Sequence, residues 1–137
     1  MAGNAIADAG FLVALLRRRD RHHAWAAVQA ERYPPPWKTC EAALSEAFYL
    51  LGPAGVGSLS SSLRRGMVKP VFEFSKNMDA VLALMDKYRQ VPMSLADACL
   101  VRMTELLNDP VVLTTDHDFR IYRRHGRQIV PAVLPSQ

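Results

Sequence analysis

Short segments of strand pattern alternate with longer segments of helical pattern along almost the whole chain, and this alternation restricts the fold more than any other feature. Asn4 to Ala7 reads as a strand, Gly10 to Arg18 and Arg21 to Arg32 as helices, and Trp37 to Cys40 as a short extended piece. Glu41 to Leu51 carries Leu44, Ala47, Phe48 and Leu51 at helical spacing. Gly52 to Gly57 reads as a turn-rich break, with a further helix over Ser58 to Arg65. Lys69 to Phe74 alternates and predicts a strand. Ser75 is placed to cap the next helix, whose apolar face is Met78, Val81, Leu82, Met85 and Tyr88. Ser94 opens another helix, apolar through Leu107 and stopped by Pro110. Val111 to Thr115 and Gln128 to Val133 predict the last two strands.

Strands separated by helices predict a parallel sheet covered on both faces. The run Val111-Val112-Leu113 agrees, because a parallel strand is buried on both sides. The expected fold is therefore α/β, a three-layer α/β/α domain around a mostly parallel sheet. At 137 residues the chain is expected to form one domain over residues 1–137. Pro34, Pro35 and Pro36 make a stiff connector within it. Cys40 and Cys99 are far apart in sequence and sit among apolar residues, so they read as reduced, packed thiols of a cytoplasmic protein. The longest apolar stretch, Ala9 to Leu16, is far below the roughly 20 residues of a membrane span. Its arginines follow it, whereas a secretory signal puts basic residues first.

Ligands of open parallel sheets bind at the carboxyl ends of the strands. Asp8 follows the first strand, and Asp116 and Asp118 follow the strand at Val111 to Thr115. Glu46 and Asp97 lie in helices that are otherwise apolar, where an unpaired carboxylate is costly. Each acid also has a local explanation. Asp8 suits a helix N-cap, Asp97 stands three residues after Ser94 as in a capping box, Asp116 and Asp118 suit a turn, and Glu46 can face solvent. Gathered at one edge, however, the carboxylates would repel one another, and a divalent cation removes the conflict. Carboxylates and retained water suit Mg²⁺ or Mn²⁺. His22 and His23 lack cysteine partners at zinc-site spacing. A net charge of +4 leans toward anionic partners. Arg17, Arg18, Arg19, Arg21, Arg120, Arg123 and Arg124 are candidate contacts to a phosphate backbone.

Four motifs resemble the PIN-domain nucleases, and more narrowly the VapC-type toxins of bacterial toxin–antitoxin pairs. Ala5-Ile6-Ala7-Asp8 with the helix through Leu16 resembles that family's opening strand, aspartate and helix. Leu44-Ser45-Glu46 is similar to its helical glutamate, with Glu41 out of register. Leu95-Ala96-Asp97-Ala98 resembles its third motif, and Leu113-Thr114-Thr115-Asp116-His117-Asp118-Phe119 its last. The resemblance implies that Asp8, Glu46, Asp97 and Asp116 are catalytic metal ligands, that Asp118 assists, and that Thr114 orients a ligand or water. It implies Mg²⁺- or Mn²⁺-dependent cleavage of RNA, a homodimer and a small antitoxin partner. The alternatives are a PIN-like module that binds RNA or protein without cutting, and a phosphoacceptor receiver domain. The receiver reading is disfavoured, since Asp8 has no acidic neighbour and Gln128 to Leu134 holds no lysine.

Overall fold

Five short strands line up side by side and in parallel. A computed structural model describes residues 3–136. In chain order the elements are β1 (Asn4–Ala7), α1 (Ala9–Leu16), α2 (His23–Arg32), β2 (Trp37–Thr39), α3 (Glu41–Arg64), β3 (Val68–Pro70), α4 (Phe74–Lys87), α5 (Leu95–Leu106) and β4 (Pro110–Leu113). A 3-10 turn (His117–Arg120), β5 (Arg123–Arg124), β6 (Gln128–Ile129) and β7 (Ala132–Val133) complete the described chain. The sheet order is β3-β2-β1-β4-β7 with every pairing parallel, and β5 and β6 form a separate antiparallel pair.

The two-residue period of the central strands divides the core. Ala5, Ala7, Val111 and Leu113 face one cluster, with Phe11 and Leu12 of α1, Ala26 of α2 and Leu44, Leu51 and Leu59 of α3. Ile6 and Val112 face the other, with Val81 of α4, Leu100 and Met103 of α5, and Phe119 and Tyr122. Helices therefore cover both faces of the sheet, giving the expected three-layer α/β/α arrangement. Among the described residues no helix is long and apolar enough to cross a membrane.

Several expected boundaries move. The Gly52–Gly57 break contracts to one kink inside α3, where Gly52 takes φ 68° and ψ −175°. Pro53 restarts the helix at once, because a helix's first turn has no use for the missing N–H. The strand expected over Lys69–Phe74 is Val68–Pro70 instead, and α4 begins at Phe74. Ser75 is consequently inside α4 and the N-cap position falls to Glu73, which makes no side-chain cap bond. The single strand expected over Gln128–Val133 divides at Val130 and Pro131 into β6 and β7.

Candidate active site

The carboxyl ends of β1, β2 and β4 are tied together by short hydrogen bonds, and the acids are mounted on those ties. The Asp8 amide donates to the Leu113 carbonyl at 3.0 Å, and the Thr39 hydroxyl donates to the Ala7 carbonyl at 2.7 Å. Asp8 is buried and is the N-cap of α1. Its Oδ1 accepts from the Ala9 amide at 2.7 Å, and its Oδ2 accepts from the Thr114 hydroxyl at 2.6 Å. The same Thr114 oxygen accepts from the Asp116 amide at 3.0 Å. Asp116 Oδ1 in turn accepts from the Asp118 amide at 2.9 Å, holding the turn that leads into the 3-10 segment. Thr114 thus links the two strand-end aspartates through one hydroxyl.

Asp97 sits in the first turn of α5 and is also buried. Its amide donates to Ser94 Oγ and its Oδ2 accepts from the Ser94 amide, both at 3.0 Å, a complete capping box. Oδ2 also accepts from the Tyr122 hydroxyl at 3.3 Å. Both carboxylate bonds fall on Oδ2, so Oδ1 has no protein donor among the described residues. Glu46 stands on the exposed side of α3. The local roles foreseen for Asp8, Asp97 and Asp116 are therefore real, but they use only part of each carboxylate's bonding capacity.

Electrostatics joins these acids into one group. Burial pushes the Asp8 carboxyl up to about 7; the Thr114 and Ala9 hydrogen bonds oppose this, and the charges of Asp97 and Glu46 add to it. Burial also raises Asp97, helped by the charge of Asp116 and opposed by the Ser94 and Tyr122 hydrogen bonds. Glu46 is raised by its partial burial and by the charges of Asp97 and Asp116. Burial and the nearby charges of Asp97, Asp116 and Asp118 raise the Tyr122 phenol. Asp8, Glu46, Asp97 and Asp116 thus share one neighbourhood, and Asp118 adjoins it through its amide bond to Asp116 and its charge beside Tyr122. The ion pairs among the described residues are Lys76–Glu73, Arg89–Asp86 and Arg102–Glu105, so none of the five acids is paired with a cation.

The donor set is all oxygen, which fits a hard divalent cation. Among the described residues no three His, Cys, Asp or Glu side chains are grouped so that they could hold a metal ion together. That too is compatible with Mg²⁺, which keeps several waters and commonly takes only one or two carboxylates directly.

The arginines divide. Arg17 donates to the Leu50 carbonyl, Arg124 to the Thr104 carbonyl, and Arg123 to the carbonyls of Arg120, Ile121 and Tyr122. Arg18, Arg19 and Arg21 follow the far end of α1, roughly 12 Å of helix away from Asp8. Arg120, exposed in the 3-10 segment, is next to the acids in sequence. Sequence reasoning missed Tyr122. It lies 25 residues from Asp97 in an irregular segment, where no periodicity marks it.

Compared with known families, the chain matches the PIN domain over residues 5–124. The chain belongs to the PIN-domain family. The matched span runs from β1 through β5 and contains all five acids. PIN domains have a nuclease-like fold and are generally nucleases. No curated protein matches the sequence.

Proposed function

We propose that this PIN domain is a Mg²⁺- or Mn²⁺-dependent endoribonuclease. The observation that carries the reading is the group of four carboxylates, Asp8, Glu46, Asp97 and Asp116, linked by mutual repulsion, with no ion pair to any cationic side chain among the described residues. Asp8 and Asp97 would be the principal ligands, Asp97 through Oδ1, which accepts no bond among the described residues, and Asp8 through the lone pairs that the Ala9 and Thr114 bonds leave. Glu46 and Asp116 would complete the shell or hold the attacking water, with Asp118 assisting. When bound, the cation supplies charge that polarises the scissile phosphate and steadies the departing oxygen. Thr114 fixes Asp8 Oδ2 and thereby the spacing of Asp8 from Asp116. Tyr122 and Ser94 fix the orientation of Asp97. Arg120, exposed and close to Asp116 and Asp118 in sequence, would be the cation that meets the RNA backbone.

The resemblance of the four motifs supports a narrower role, that of the toxin of a VapBC-type pair, a cytoplasmic homodimer neutralised by a small antitoxin. The test is cleavage of single-stranded RNA in Mg²⁺ and in EDTA, beside Asp8→Asn and Asp97→Asn. The expected result is cleavage by the unsubstituted chain in Mg²⁺ only. Cleavage that survives EDTA, or both substitutions, contradicts the mechanism. RNA binding without turnover in either metal would favour the non-catalytic alternative.

A further inference from the structure

Cys40 and Cys99, 59 positions apart in sequence, meet in the core. Cys40 is the N-cap residue of α3, and Cys99 lies one turn into α5, two residues after Asp97. Both thiols are free and buried, and both belong to the cluster that contains Ala43, Phe72 and Leu100. Each thiol is close enough to perturb the other's ionisation. A cavity of about 320 Å³ reaches them, walled by Glu41, Phe72, Phe74 and Leu95. Neither sulfur is one of the acidic site's oxygen donors, although Cys40 lies near enough to feel the charge of Asp8, and packing alone does not require two thiols in one cluster.

We propose that Cys40 and Cys99 are a two-thiol modification site, at which a peroxide closes an intramolecular disulfide that shifts α5 against α3 and draws Asp97 out of place. One sulfur attacks a peroxide oxygen and the O–O bond breaks, leaving a sulfenic acid and water. The second sulfur attacks the sulfenic sulfur, the S–S bond forms, the S–O bond breaks and the hydroxyl leaves with the second thiol's proton as water. Two thiols lose two electrons, and one peroxide becomes two waters. Closure to a bond of about 2 Å draws α5 toward α3 at Cys99. The strain falls on the start of α5, where the Ser94 capping box sets Asp97. Thiol reductants reverse the step.

The bond itself is independent of the nuclease reading; its effect on cleavage rests on that reading. The experiment treats the full chain with hydrogen peroxide, alkylates it in denaturant and measures intact mass, with RNA cleavage in Mg²⁺ followed in parallel. The expected product has lost two hydrogens, about 2 Da, takes up no alkylating agent and yields a Cys40–Cys99 cross-linked peptide. Cleavage should fall on the order of tenfold or more, as a misplaced catalytic group implies, and return with dithiothreitol. Cys40→Ala should keep its cleavage under peroxide. Two alkylatable thiols after treatment, or only intermolecular or over-oxidised products, would overturn the bond. A linked chain that cleaves RNA at the reduced rate would overturn its control of Asp97. If the reduced chain cleaves nothing, the nuclease reading fails, while the mass still decides the bond.

Discussion

At Asp8, stability and reactivity pull in opposite directions. Its carboxyl is held at about 7, against an ordinary value of 3.8. Between those values the folded chain keeps a proton that the unfolded chain has lost. Stability from this group is therefore greatest below pH 3.8 and falls as pH rises toward 7. The raised carboxyls of Asp97 and Glu46 act with the same sign. Melting in EDTA at pH 5 and pH 8 should show the metal-free chain less stable at pH 8. Asp8→Asn should gain about 2 kcal/mol over the unsubstituted chain at pH 8, while RNA cleavage drops on the order of 100-fold or more. A loss of stability in that variant at pH 8 would refute the burial of an uncompensated charge. The two glutamates of α3 give a second comparison at this scale. Glu46 feels the charges of Asp97 and Asp116, whereas Glu41 lines the cavity beside Cys40. Glu46→Gln should slow cleavage about tenfold or more and Glu41→Gln by less than about twofold, measured in the same RNA assay. The sequence supplied both glutamates, and only the family register preferred Glu46; the side-chain environment distinguishes them physically.

Elements hold the acids in register, and one close approach governs the most important pair. At Gly10, in the first turn of α1, an added Cβ would lie 2.1 Å from Thr115 Oγ1. Gly10→Ala should therefore push α1 away from the Thr114–Asp116 segment. The expected cost is about 1–3 kcal/mol in denaturant unfolding, with weakened cleavage because Asp8 and Asp116 separate. Unchanged stability would mean that the Thr115 side chain simply turns aside. The strands and helices themselves were legible wherever apolar spacing was regular, as in β1, β4 and α5. They were misread where backbone chemistry outweighed pattern. β3 loses its partner where β2 ends at Thr39, whose carbonyl takes a last bond from the Val71 amide, so alternation through Phe74 did not continue the strand. Pro131 separates β6 from β7 within a run that reads as one strand. Gly52 needed only its own left-handed φ to bend α3, so the small residues after it stayed helical.

Across the whole molecule, the alternation of strand and helix was enough to derive the parallel sheet and, from it, the edge where the acids gather. Long-range contacts were not derivable in that way. Asp97 meets Tyr122, Thr114 bridges Asp8 to Asp116, and Cys40 meets Cys99, all through tertiary packing. Charge is also distributed differently from its order along the chain. The arginines at positions 17–21 cluster in sequence near Asp8, yet α1 carries them toward the opposite edge of the sheet. The central claim is that acids from four separate segments act as one cation site. Mn²⁺ binding to the RNA-free chain, followed by electron paramagnetic resonance, tests it most directly. Binding should be strong in the unsubstituted chain and in Glu41→Gln, and much weaker in both Asp8→Asn and Asp97→Asn. Equal Mn²⁺ binding by all four proteins would contradict the claim.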